Sequence, residues 1–158
     1  FGQAVIDPQR VAELEKVAER IKVNKARYQA IETKSGVPWY FVGLLHYRCC
    51  DGDFSLHLNG DPLSNRTVNV PKGRPLQGDA PFSWEDSAID LIGLYRLQNA
   101  DWSSVGTVLY RLESVNGFGY RTHNVKSPFL WACTNLYTSG NFVGDHTFDP
   151  SFKDTQCG

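Results

Sequence analysis

From Val37 to Cys50 the chain reads VPWYFVGLLHYRCC, and no other stretch restricts the fold as much. Trp39 to Leu45 is apolar on every side of a helical wheel, and a helix without a polar face has to be surrounded by protein. Pro38 suits the entry to such a helix, because a ring that lacks an N–H costs nothing at the first positions. Asp51-Gly52 suits its exit. The remaining sequence must therefore wrap this rod, whose last residues, His46-Tyr47-Arg48-Cys49-Cys50, are held firmly by its burial.

The flanking segments supply the wrapping. Asp7-Pro8 opens a helix on which Val11, Leu14, Val17, Ile21, Tyr28 and Ile31 recur at helical spacing, and the pattern predicts one long amphipathic helix ending near Ser35-Gly36. After the buried rod the period becomes two: Phe54, Leu56 and Leu58 alternate with polar residues, and Asn59-Gly60-Asp61 supplies a turn. Arg66 to Val70 reads as the returning strand, so a small sheet of two or three strands is expected here. Ser83-Trp84-Glu85-Asp86 begins another helix, with Ala88, Ile89, Leu91, Ile92, Tyr95 and Leu97 on its core face. Trp102-Ser103-Ser104 opens a helix that Asn116-Gly117 stops, and Ser127-Pro128 opens one expected to run through Tyr137. The tail from Asn141 shows no clear period beyond a short turn at Asp149-Pro150. The fold class is α+β, mainly α, and 158 residues fit a single domain spanning 1–158.

Charge and cysteine content remove several classes of function. Sixteen basic and seventeen acidic residues, net −1, provide no excess of positive charge for nucleic acid. No apolar run is long enough to span a bilayer, so no membrane partner is expected. A chain that starts at Phe1 and contains no Met is expected to be a processed product. Four cysteines allow one bridge and are too few for a disulfide framework at this length. His46, Cys49, Cys50 and His57, with Cys133 or Cys157, have ligand chemistry but fit no common zinc spacing, so neither a metal nor a cofactor is expected.

Motifs carry the reading further. The segment His46-Tyr47-Arg48-Cys49-Cys50-Asp51-Gly52-Asp53-Phe54 is followed by His57-Leu58-Asn59-Gly60-Asp61-Pro62-Leu63 and by Arg66-Thr67-Val68-Asn69-Val70-Pro71. Later come Pro81-Phe82-Ser83-Trp84-Glu85-Asp86-Ser87-Ala88-Ile89-Asp90, Asn116-Gly117-Phe118-Gly119-Tyr120 and Pro128-Phe129-Leu130-Trp131. This series resembles the lysozyme superfamily, most of all the goose-type lysozymes, the lytic transglycosylases and compact bacterial lysozyme-like proteins. The resemblance implies a lysozyme-like helical domain with a small β-hairpin lobe. It also implies cleavage of the β-1,4 glycan strand of peptidoglycan, by a muramidase or a lytic transglycosylase. In the family pattern His-x-x-Glu the catalytic Glu falls on Cys49. Asp61 falls where the superfamily often places a second carboxylate, although a turn-former in Asn-Gly-Asp-Pro explains it equally well. The Asn116, Phe118 and Tyr120 segment corresponds to a sugar-binding stretch, or else to an aromatic helix stop. His46, Asp53, His57, Asn59, Thr67 and Glu85 complete the expected substrate-binding set.

The thiol decides the chemistry expected of this chain. A glycosidase acid is a carboxylic acid kept protonated by its pocket. A Cys thiol is protonated near neutral pH as well, but it is short, donates hydrogen bonds weakly and leaves a poorly stabilised anion. Loss of a general acid removes roughly 10²–10⁴ in rate, so the chain as written is expected to be inactive. The alternative function is non-catalytic binding of peptidoglycan or chito-oligosaccharide. Asp51 and Asp53 are candidate replacement acids, and His46, three residues before Cys49, is a candidate base for a thiol nucleophile. The expected partner is peptidoglycan or a related β-1,4-linked amino-sugar glycan, bound by a monomer that is secreted or periplasmic. Net charge −1 favours a less anionic or deacetylated wall.

Overall fold

The structure is a computed structural model that describes residues 2–144 and 146–158. It is mainly α-helical, with one two-stranded antiparallel hairpin. The chain divides into two compact units, Glu19–Ser103 and Ser104–Gly158 together with the segment before Glu19.

The unit Glu19–Ser103 is built on the buried rod. Helix α1 (Val11–Val23) contributes Ile21 to its core. Helix α2 (Lys25–Ser35) follows after a break at Asn24, so the expected single long helix is two. Asn24 leaves helical geometry, at φ −91° and ψ 9°, and its side-chain amide donates to the Arg20 carbonyl, closing one helix as the next begins. Helix α3 (Trp39–Cys50) is the rod itself, with Phe41, Val42 and Leu45 at most 1 % exposed. It lies against α2, and Gly43 sets the approach, since a Cβ there would sit 2.5 Å from Ile21 Cγ2. Asp51, in left-handed geometry, ends α3. Helix α4 (Trp84–Leu94) is capped by Ser83, whose hydroxyl accepts from the Asp86 amide, and it turns Trp84, Ala88, Leu91 and Ile92 inward. Leu97 is buried from a short 3-10 turn beyond the helix rather than from its face.

The expected sheet between Phe54 and Val70 is not formed. Among the described residues this region holds one isolated bridge, Leu56 to Pro62. Prolines at 62, 71, 75 and 81 withhold ladder donors, and Asp53 bends the chain at its start by accepting from the Ser55 amide and hydroxyl. The segment from Asp51 to Ser83 is instead an ordered loop tied to α4.

The other unit contains α5 (Val105–Asn116), α6 (Gly119–Thr122), α7 (Pro128–Trp131) and the hairpin β1 (Asn141–Gly144) with β2 (Thr147–Asp149). Ser104 caps α5 and Gly117, at φ 98°, follows it. Helix α7 stops at Trp131, well short of Tyr137, because Ala132 is extended and Cys133 adopts φ 67° to meet Cys157 in a disulfide. The hairpin pairs Asn141 with Asp149 and Phe142 with Phe148. It therefore lies in the tail that showed no period, and not in the region where alternation was visible. Tyr120, His123, Phe142 and Phe148 form its aromatic face, with the His123 and Phe148 rings stacked 3.8 Å apart.

Candidate functional site at the end of the buried helix

The last turn of α3 presents an aromatic and histidine cluster. His46 is fully buried between Phe54 and Trp84, with ring centroids 4.5 and 4.6 Å away, and its Nδ1 meets the Tyr28 hydroxyl at 3.0 Å. Burial holds the imidazole below its ordinary pKa despite the opposing backbone of Asp53. Nε2 is buried without a hydrogen-bond partner. Arg27 covers the cluster, its guanidinium carbon 3.9 Å from the Phe54 ring centre, and is ion-paired with Glu85. His46 is thus a core histidine held by the Tyr28 hydroxyl beside the Asp53 backbone, and no hydrogen bond joins it to Cys49.

Cys49 and Cys50 are half-buried and unbridged. Burial pushes the Cys49 thiol up to about 12, with the neighbouring Cys50 adding to the effect. Burial likewise pushes Cys50 up to about 12, helped by Asp53 and Asp51. Both are protonated thiols at neutral pH: Arg48 favours the Cys49 thiolate, but burial outweighs it, so the thiol is not activated as a nucleophile.

The carboxylates around this helix end are all engaged. Asp51 pairs with Arg20 at 2.6 Å. Asp53 is bonded by Ser55, which holds it below the usual carboxylate range. Arg27 does the same for Glu85. Asp61, only 5 % exposed, accepts from the amides of Val68 and Asn69 at 2.8 and 2.9 Å and from the side chains of Asn59 and Asn69 at 2.8 and 2.7 Å. Burial alone would raise its pKa, but these donors outweigh burial and lower it. Asp61 therefore pins the 66–69 turn, and its acceptor positions are occupied.

His57, Asn59 and Thr67 come together, though not around space for a sugar. The His57 ring bridges Ser87 Oγ at 2.6 Å and the Asn65 carbonyl at 2.8 Å, which fixes Nε2 as the donor. Thr67 donates to the Pro71 carbonyl and accepts from the Arg74 amide at 2.9 Å. Arg74 in turn pairs with Asp90 at 2.6 Å. The void that these groups share, about 10 Å³, is no larger than one water needs. Asn69, Ser87 and Asp90 lie within the motifs read from the sequence, and Arg74 in the loop between them, but none was given a role at the site. The one cue was an Arg set inside a proline-rich loop, ahead of a helix carrying Asp at the facing register.

Asn116, Phe118 and Tyr120 belong to the other compact unit. Tyr120 is 7 % exposed and its hydroxyl donates to Asn141. Phe118 lies under the Arg121 guanidinium, 4.2 Å from ring centre to carbon. Among the described residues no group of three His, Cys, Asp or Glu side chains is placed to hold a metal ion, and no helix is long and apolar enough to cross a membrane.

No family model, no curated protein and no solved structure matches the chain.

Proposed function

We propose that this chain is a lysozyme-type protein that binds peptidoglycan or a related β-1,4 amino-sugar glycan without cutting it, Cys49 standing where the general acid would be. One observation carries the reading. The rigid end of α3 presents a protonated thiol, and the carboxylates about it, Asp51, Asp53, Asp61 and Glu85, are each bound to a cation or to hydrogen-bond donors. A carboxylic acid held protonated is what glycoside cleavage requires, whereas their donors hold Asp53, Asp61 and Glu85 below the ordinary carboxylate range. The disulfide between Cys133 and Cys157 supports a secreted or periplasmic setting, because such bridges persist in oxidising compartments. A net charge of −1 gives no long-range attraction to an acidic wall and so supports a leaning toward deacetylated glycan.

The test compares the chain with Cys49→Glu on purified cell walls, each first shown by thermal melting to be folded. The chain should co-sediment with the walls and release no reducing or anhydro-sugar ends. Cys49→Glu should release them at a rate higher by roughly 10²–10⁴. A folded Cys49→Glu variant that binds walls but yields no product would show the acid to be misplaced. Absence of wall binding by both forms would remove the glycan reading.

A further inference from the structure

In the unit containing α5 and α7, an open cavity of about 550 Å³ lies between these helices and the turn from Arg121 to Ser127. It contains none of the candidate residues discussed above, and its size falls within the range of small-molecule sites, roughly 300–1,000 Å³. Its lining combines two aromatic residues, Tyr110 and Trp131, with Glu113, Arg121, Lys126 and Ser127. Tyr110 is 47 % exposed although its ring has a tilted partner in Phe118, 5.3 Å away. Ser127 is 2 % exposed, and its hydroxyl has no hydrogen-bond partner. A buried hydroxyl left unpaired costs free energy, so it marks a place where a ligand group, with a small adjustment of the serine rotamer, supplies what the protein does not.

The charges at this cavity are arranged in sequence. Glu113 is largely covered and both its oxygens accept from Arg121, at 3.1 and 2.6 Å. That pairing consumes the only carboxylate among the lining residues and holds the guanidinium over the Phe118 ring, with half of its side chain still exposed. Arg121 is therefore preorganised, and the N–H groups not directed at Glu113 remain available. Lys126 adds a second cation and has no ion-pair partner among the described residues. With one paired carboxylate and two cations, the lining carries a net positive charge beside aromatic faces.

We propose that this cavity binds a saccharide ring bearing a carboxylate, the acid group directed to Arg121 and Lys126, a ring face against Tyr110 or Trp131, and a hydroxyl reaching Ser127. Aromatic faces receive the C–H side of a sugar ring, and a guanidinium fixed by a neighbouring acid is a directional carboxylate receptor. The proposal deepens the glycan reading by giving the chain a second, acid-selective contact away from the end of α3. It rests on that reading for the choice of a sugar over other ring acids.

The experiment titrates the full chain with matched probes, N-acetylmuramic acid against N-acetylglucosamine and glucuronate against glucose, following amide shifts by NMR. Each carboxylated sugar should bind about ten-fold more tightly than its neutral counterpart, with shifts centred on residues 110–131. Lys126→Gln, an exposed change that leaves the fold intact, should remove most of that preference. Equal binding of acid and neutral sugar, or shifts centred elsewhere, would overturn the proposal, as would no binding of either at tens of millimolar. The two readings fail separately: wall binding that survives Lys126→Gln with no shift at 110–131 sinks only this one. A ring acid such as benzoate binding more tightly than both sugar acids would also count against it.

Discussion

Asp61 shows what a single residue was able to disclose. Its place in Asn-Gly-Asp-Pro was legible as a turn, and family resemblance made it equally eligible as a second carboxylate. Its actual partners, the amides of Val68 and Asn69 and two asparagine side chains, lie seven and eight residues on or two residues back, and no local rule anticipates that convergence. Asn59 and Thr67, expected at a substrate, are likewise spent on the loop. A buried acceptor with four donors is costly to alter, so Asp61→Asn, which turns an amide toward amides, should lower stability by about 1–3 kcal/mol. The pH dependence has a definite sign. The folded pKa of Asp61 is lowered, so its contribution is fully present above the unfolded value of about 3.9 and is lost as pH falls through the lower folded value. Urea unfolding at pH 7 and at pH 3 should show a smaller difference for Asp61→Asn than for the parent chain. An undiminished acid loss in the variant would mean that other groups carry it.

Among elements, those whose signal is local were readable. The rod α3, the Ser83 and Ser104 caps and the glycine stops at 36 and 117 all lie where sequence placed them, because capping and burial pattern act within one or two turns. What misled was structure set at a distance. Alternation at Phe54, Leu56 and Leu58 looks like a strand, yet the backbone groups of that loop go to Asp61, Thr67 and each other, so no ladder forms. The helix expected through Tyr137 is cut by a residue committed to a disulfide 24 positions away. Gly43 is the reverse case. A glycine inside a helix ordinarily weakens it, whereas in this fold it allows α3 to lie close to Ile21 and Tyr28. Gly43→Ala gains helix propensity of up to about 1 kcal/mol, but its Cβ would stand 2.5 Å from Ile21 Cγ2 and 3.2 Å from a Tyr28 ring carbon. Overpacking of this kind costs about 1–3 kcal/mol, so the net effect should be destabilising. A thermal midpoint equal to or above that of the parent would show that the α1 to α3 spacing yields more readily than the packing suggests.

At the scale of the whole molecule, two compact units make different use of covalent and non-covalent support. The unit Glu19–Ser103 has a continuous aromatic and aliphatic core from Tyr28 to Leu97 and no disulfide among its described residues. The unit with α5 to α7 has one long helix, two helices of four residues and a short hairpin, and it relies on the Cys133–Cys157 bridge to anchor its tail. Around that bridge the chain start is also fixed, through Asp7 to the Cys133 carbonyl and the Ile6 to Thr134 pairing. Cross-linking residues 24 apart restricts the unfolded chain by about 3 kcal/mol. A Cys133→Ala, Cys157→Ala double variant should lose stability of that order. If the two units open separately, the loss is local: amide exchange should accelerate across α5, α7 and the hairpin while α2, α3 and α4 keep the protection of the parent chain. Equal acceleration in α3 would instead show that both units unfold as one cooperative body, and the stability attributed to the bridge would then belong to the chain as a whole.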